Sequence, residues 1–247
     1  PASASLLAWW KKLGIPIGEA YGLTENFGFT SITRPSDLKF GTVGQAWPGV
    51  ELKVVENQEV ISKSPTNMLG YYRDLKQTQE TIKNGYLHTG DQGQLDAQGN
   101  LKITGRIKDI FKTEKGKYIV PGPIEEKFSR TIFFEAICLV GMGMPQPMML
   151  VVPSESAKKM NKDHLNKELT SLLNDVNSGL EAHEKIKSIV IVKDAWTVDN
   201  ELITPSLKVK RQAVEKYYGD RLQAWYDLNE RVIIEKDMPR KSVGLAG

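Results

Sequence analysis

The sequence predicts a mixed α/β (α+β) fold built in two parts. Residues 51–56 (ELKVVE) and 59–63 alternate apolar and polar side chains around Asn57–Gln58, the signature of a β-hairpin. After Gly105 the pattern changes, and helical stretches begin to alternate with short apolar runs. Of the 247 residues 40% are hydrophobic and 26% charged, enough apolar material for a real core in one large domain or two small ones. These signals divide the chain into a β-rich part (1–105), a small α+β domain (106–230) and a short polar tail (231–247).

A helix over residues 5–12 opens the chain and a strand is expected directly after it. The segment GTVGQAWP (41–48) reads as a turn entering the first hairpin. Asp74 is placed to cap a short helix through Ile82 that ends at Asn84–Gly85. Residues 92–96 and 101–104 form a second hairpin, with Gly99 in its turn. In the α+β part, strands are expected at 110–112 and 118–120. A helix from Pro121 to Arg130 tolerates Pro123 in its first turn. Residues 135–143 and 148–152 read as buried strands, 154–160 and 162–178 as helices, and 188–192 as another strand. A final helix runs from Lys210 to Asn229, with a break expected at Gly219. The tail 236–247 reads as loose.

The net charge is +3, and lysines are interspersed with acids, so a nucleic-acid binder is disfavoured. No apolar run is long enough to cross a bilayer. The single cysteine, Cys138, excludes an intrachain disulfide and makes a reducing, cytoplasmic compartment the default. It sits in an apolar run where nothing near it is expected to lower its pKa, as a buried strand residue rather than a nucleophile. His88, His164 and His183 do not make a metal-ligand spacing. The opening PASASLLAWW reads as the middle of a fold, and a piece of a longer protein is expected.

Four segments carry chemistry. In YGLTEN (21–26), Tyr21 offers a flat face to a purine and Gly22 lets backbone approach a ligand. Thr24 offers a hydroxyl to phosphate, and Glu25 a hard oxygen to Mg2+. Taken alone, so short a match favours a plain turn capped by Thr24. In YLHTGD (86–91), Asp91 on a glycine turn either accepts ribose hydroxyls or fixes its own backbone. In GRIKD (105–109), Arg106 and Lys108 are either phosphate and ribose ligands or solvated surface charge. In TPSLKVKR (204–211), Pro205 forces an extended entry that presents Lys208 on an arm before the last helix, and the alternative is a basic helix start. Gly116 and Lys117, in KTEKGKYIVP (112–121), read either as a glycine loop over an anion or as a basic hairpin tip.

Together, in order and spacing, these segments resemble the adenylate-forming enzymes: acyl-CoA synthetases, luciferases and peptide-synthetase adenylation domains. YGLTEN is similar to that family's Tyr-Gly-x-Thr-Glu motif. Residues 84–126 are similar to its ribose and hinge motifs run together, and MLGYYRD (68–74) also fits. The long-chain fatty acid–CoA ligase branch fits best. Many relatives carry Gly-Lys before the last helix where this chain has Leu207–Lys208. The position of Lys117, often Arg in acetyl-CoA synthetase-like members, is another departure.

The resemblance implies that residues 1–105 are a remnant of the large AMP-binding domain, its β-barrel-like subdomain, and that 106–230 are the C-terminal lid domain. Pro1–Ala2 resemble the end of an adenine turn whose phosphate loop lies upstream, so the fragment alone is expected to be inactive. The implied cofactors are ATP/AMP, Mg2+ and coenzyme A, and the implied substrates a fatty acid and coenzyme A, with the upstream part of the chain as a partner. By carry-over, Tyr21 stacks on adenine, Gly22 belongs to the cofactor-binding turn beside it, and Asp91 with Arg106 binds ribose. Thr24 meets phosphate, Glu25 holds Mg2+, and Lys208 bridges the carboxylate and the α-phosphate. Lys108 is the hinge that exchanges Lys208 for the Gly116–Lys117 loop. An adenylating enzyme serving a carrier protein, or a non-catalytic nucleotide-binding scaffold, are the alternatives. Trp225–Tyr226 read as core packing, with peripheral membrane contact as the alternative.

Overall fold

The computed structural model describes residues 4–128 and 131–235. By its internal contacts the chain divides into two compact units, residues 1–108 and 109–247.

In the first unit, α1 (Ala4–Lys12) ends at Gly14 in the left-handed region. No strand follows directly: β1 (Ala20–Tyr21) begins only after a further loop. It pairs with β2 (Ser31–Ile32), which pairs with β3 (Gln45–Ala46), all antiparallel. Residues 41–48 are therefore more than a turn. Gly44 (φ +76) brings β3 so close to Ile32 that a Cβ there would lie 2.0 Å from the Ile32 carbonyl oxygen. The expected hairpin is β4 (Glu51–Val54) with β5 (Glu59–Lys63), its turn closed by Gln58 N–H to Val55 O at 2.8 Å.

Asp74 caps α2 (Leu75–Thr81), its Oδ1 accepting the Gln77 amide at 2.9 Å. The helix stops earlier than expected. Residues beyond Thr81 form β6 (Ile82–Lys83), and Asn84–Gly85, both at positive φ, make the tight turn into β7 (Tyr86–Leu95). β7 is twice the length the sequence predicts and swallows the YLHTGD segment. It pairs with β5, with β6 at its start, and with β8 (Leu101–Arg106) further along. Val60, Leu101 and Val43 are buried between these strands, with Tyr21, Leu52 and Ile103 packed against them.

In the second unit, β9 (Phe111–Lys112) and β10 (Tyr118–Ile119) form a hairpin that leads into α3 (Pro121–Phe128). Ser129 and Arg130, where that helix was expected to end, lie outside the described residues. A four-stranded sheet follows, in the order β11 (Phe134–Val140), β12 (Met148–Pro153), β13 (Ile189–Ile191), β14 (Val232–Ile234). The first pair is antiparallel and the next two are parallel. α4 (Glu155–Lys158) and α5 (Lys162–Ser178) connect β12 to β13, and α6 (Arg211–Asp227) precedes β14.

The sheet is covered on both faces, so β12 is buried at five consecutive positions rather than alternately. On one face Leu139, Met149, Val151 and Ile189 meet Ile124 and Phe128 of α3 and Leu169 and Leu173 of α5. On the other, Cys138, Leu150, Val190 and Ile233 meet Val214, Tyr218 and Trp225 of α6. Two sequence expectations fail here. Gly219 does not break α6, which runs through it. Val232–Ile234, assigned to the tail, completes the sheet, because these apolar residues cover the β13 edge. The rest of that tail, 236–247, lies outside the described residues, as does Pro1–Ala2.

Candidate functional site

The first unit gathers three of the anticipated residues. Tyr21 ends β1, and its phenol donates to Asp91 Oδ2 at 2.7 Å. The register of β7 against β8 sets Asp91 opposite Arg106, whose Nε lies 2.9 Å from Asp91 Oδ1. Asp91 is thus buried with both oxygens engaged, as a buried carboxylate requires. Burial, and then the Asp91 charge, push the Tyr21 phenol well above the usual tyrosine range. A carboxylate has about four acceptor positions, so Asp91 keeps capacity for further hydroxyl donors. Most of the Arg106 side chain (63% exposed) remains in solvent. Asp91 does not stand on a tight glycine turn, as expected, but inside β7. Gly90 (φ +70) lies where the β5–β7 register slips, so the glycine serves a bulge.

Gly22 also has a different reason from the expected one. A Cβ there would lie 2.1 Å from the carbonyl carbon of Gly28, so the missing side chain lets two backbone segments touch. The turn between them is a single 3-10 turn, Thr24–Asn26. It is tied by Leu23 N–H to Asn26 Oδ1 at 2.9 Å and by Gly28 N–H to Leu23 O at 2.8 Å. Asn26, not Thr24, holds the turn. Thr24 is exposed.

Glu25 follows, half-buried, and its Oε1 accepts the Tyr71 hydroxyl at 2.8 Å. Burial, and then this bond, raise the Tyr71 pKa. A cleft of about 300 Å³ is lined by Glu25, Tyr71, His88, Arg106 and Lys108 among others. That volume is at the lower end for small-molecule sites. Asp91 is not in its lining and connects to it through Arg106. Glu59 and Glu80 also line the cleft; Glu25, its carboxylate oriented by the Tyr71 phenol, could serve Mg2+ arriving with phosphate oxygens, an ion that takes only one or two carboxylates. No cluster of three or more His, Cys, Asp or Glu side chains that would hold a metal occurs among the described residues.

Glu59 was missed by sequence reasoning. It is buried, and its carboxylate spans His88 Nδ1 (2.9 Å) and the Gly90 amide (3.1 Å), bracing the bulge beside Asp91. Nothing in ENQEV marks that acid out. Tyr71, in the MLGYYRD segment, carried a signal of family likeness but none of its partner.

The remaining anticipated residues belong to the second unit. Gly116 (φ +73) and Lys117 form the exposed β9–β10 tip, closed by Thr113 N–H to Lys117 O at 2.9 Å. Lys208 is exposed, but on a closed turn rather than an extended arm. Thr204 N–H donates to Lys208 O (2.8 Å), Lys208 N–H donates to Thr204 Oγ1 (3.1 Å), and Ile203 bridges Val209. Leu207 takes φ +60 inside that turn, a left-handed conformation that favours glycine. Cys138 is buried as expected. A cation that lowers its pKa does lie beside it, contrary to expectation: Arg211 Nη1 is 3.4 Å from the sulfur, and burial, the larger effect, still raises the pKa. Trp225 is 2% exposed and packs on Tyr218 with centroids 5.8 Å apart, which fixes it in the core. No helix among the described residues is long and apolar enough to cross a membrane.

A family profile described as AMP-binding enzyme matches residues 1–72, and one described as AMP-binding enzyme C-terminal domain matches 108–230. Similar curated proteins include mouse long-chain-fatty-acid–CoA ligase 5, 34% identical over 92% of this chain. Human long-chain-fatty-acid–CoA ligase 6 is 32% identical over 93%. The chain spans 38% and 37% of those relatives' lengths. Among solved structures, the A-PCP didomain of Segniliparus rugosus carboxylic acid reductase with AMP aligns at TM-score 0.74 and 23% identity. It covers 92% of this chain and 34% of that one. Bacillus subtilis O-succinylbenzoate coenzyme A synthetase with AMP aligns at TM-score 0.69 and 21% identity, covering 86% and 43%. At such identities these two speak for the fold.

Proposed function

This chain belongs to the adenylate-forming, AMP-binding enzyme family, and from that premise we propose that its protein is an ATP-dependent long-chain fatty acid–CoA ligase. The fatty acid carboxylate attacks the α-phosphorus of ATP and expels pyrophosphate, giving an acyl-adenylate. The thiol of coenzyme A then attacks the acyl carbonyl, AMP leaves, and the thiol proton is released. Neither step needs a covalent protein nucleophile, so positioning and charge do most of the work.

The observation that carries this reading is the Tyr21–Asp91–Arg106 assembly beside a cleft lined by Glu25. In it, Tyr21 offers its ring to adenine while its hydroxyl steadies Asp91. Asp91 accepts the ribose hydroxyls, Arg106 adds a donor, and Thr24 meets phosphate. Glu25 would hold Mg2+, which supplies neutralisation of the phosphate charge when bound. Lys208 supplies the cation between carboxylate and α-phosphate, Lys108 is the hinge, and Gly116–Lys117 serve the thioester step. We assign the phosphate loop and the acyl pocket to sequence outside these 247 residues, as GTVGQAWP (41–48) lacks a phosphate-loop signature.

The test is ATP–pyrophosphate exchange by the complete protein with acids of graded chain length, followed by acyl-CoA formation on adding coenzyme A. Exchange stimulated by long-chain acids is expected. Nucleotide binding without exchange would point to a scaffold, and exchange without acyl-CoA formation to a carrier-protein acceptor.

A further inference from the structure

The turn that carries Lys208 is short, and the side chain of Arg211, just beyond it, reaches into a buried cluster. Directly after it, Arg211 opens α6, and its side chain turns inward instead of into solvent. The guanidinium grips Glu125 of α3 with Nη2 at 2.7 and 2.8 Å from the two carboxylate oxygens. Nη1 donates to the Leu139 carbonyl of β11 and lies 3.4 Å from Cys138 Sγ. Glu125 Oε1 also accepts the Leu139 amide at 2.6 Å, so helix, strand and arginine close on one another. On the near side of the turn, Lys210 N–H donates to the carbonyl of buried Leu202 at 2.9 Å. The backbone at Lys208 is therefore held from both ends.

The β9–β10 tip has backbone ties that Arg211 does not make, though its buried residues share a cluster with Leu139. Phe111 and Ile119 are buried, Gly143 N–H donates to Lys112 O at 2.8 Å, and Glu114 N–H donates to Met144 O at 2.9 Å. Arg211 makes none of the tip's hydrogen bonds, whereas it follows the stem of the Lys208 turn directly and fixes where that closed turn sits.

We infer that Arg211 is a positioning residue for Lys208: its grip on Glu125 and Leu139 fixes where the lysine ammonium is presented, and so tunes adenylation rather than thioester formation. This deepens the role given to Lys208 above and rests on it. Position at the reacting centre is worth large factors in rate, and a planar fork holds position in a way a lysine ammonium does not.

The experiment uses the complete protein and separates the half-reactions: pyrophosphate release from ATP and acid, and conversion of supplied acyl-adenylate with coenzyme A. The variants are Arg211→Lys, Glu125→Gln, Lys208→Ala and the double variant Arg211→Lys/Lys208→Ala. Lys208→Ala is expected to lower adenylation by on the order of 10²-fold. Arg211→Lys should lower it about tenfold, the scale of a lost charge-assisted contact. The supplied adenylate should be converted at near the parent rate. Because Arg211 acts through the lysine, the double variant should be no slower than Lys208→Ala alone. Glu125→Gln, which keeps the acceptor shape, should show a smaller loss of the same kind and covers the case in which Arg211→Lys does not fold.

Equal losses in both half-reactions, or full additivity in the double variant, would mean a purely structural arginine and overturn the inference. A crippled Lys208→Ala beside unaffected Arg211→Lys and Glu125→Gln would overturn it while leaving the Lys208 reading intact. Undiminished adenylation by Lys208→Ala would overturn both.

Discussion

Tyr21 and Asp91 are 70 positions apart and are joined by a 2.7 Å hydrogen bond, with the phenol as donor and the buried carboxylate as acceptor. The bond fixes the aromatic face offered to a base relative to the acid offered to a ribose.

Tyr21→Phe keeps the ring and removes the donor. A hydrogen bond to a charged group is worth about 1.5–3 kcal/mol, and urea unfolding should register a loss in that range. The folded tyrosine titrates above its ordinary value, so its contribution is whole below about pH 10 and declines as pH rises beyond it. Alkaline destabilisation above about pH 10 should be shallower in Tyr21→Phe, by up to ~1.4 kcal/mol per pH unit. An unchanged alkaline slope would place Tyr21 outside the buried, acid-paired setting.

Tyr71→Phe leaves Glu25 without its phenol at 2.8 Å. If the phenol orients the carboxylate for Mg2+, the concentration of MgATP at half-saturation should rise about fivefold, for about 1 kcal/mol. The maximal rate at saturating MgATP should stay within a factor of about two. A fall in maximal rate at constant half-saturation would contradict an orienting role.

Gly22→Ala should cost about 3 kcal/mol, since the new methyl meets Gly28 backbone that cannot move aside. Gly116→Ala meets no atom within 4 Å and should cost only about 1–2 kcal/mol, from its left-handed backbone. Thermal melts of the two variants side by side decide the order. A milder Gly22 variant would mean that the close contact is not kept in solution.

Lys108→Pro acts at the last residue of the first compact unit, inside the short 3-10 turn Ile107–Asp109. It removes an amide and fixes φ. With Lys108 as hinge, acyl-CoA formation should fall at least about tenfold more than pyrophosphate release. Parallel assays of the two products test this, and equal loss would remove the hinge assignment.

What sequence could and could not reveal follows from the range of the forces involved. Helix α5 was legible to the residue because Asn161 caps it and Leu165, Leu169, Leu173 and Val176 recur on one face. The β4–β5 hairpin was legible from alternation alone. Strand β7 was not, because Gly90 and Gly93 look like turn residues. In the fold the first makes a bulge, and the second leaves space beside Val60 and Leu101. Gly219 misled for the converse reason: packing of Val214, Tyr218 and Trp225 outweighs roughly 1 kcal/mol of helix propensity. The motifs Tyr21, Glu25, Asp91 and Arg106 could be named from sequence. Tyr71 as the partner of Glu25, and Glu59 as the brace of His88 and Gly90, could not, since contacts between residues far apart in sequence leave no local mark.

Leu207 sits left-handed at the bend that presents Lys208, and the residue is 75% exposed. Little burial offsets the roughly 1–2 kcal/mol that such a backbone costs a branched residue. The Thr204–Lys208 hydrogen bonds that close the turn therefore work against that cost. Any partner or substrate that gathers the leucine into an apolar contact would both recover that surface and steady the lysine beside it.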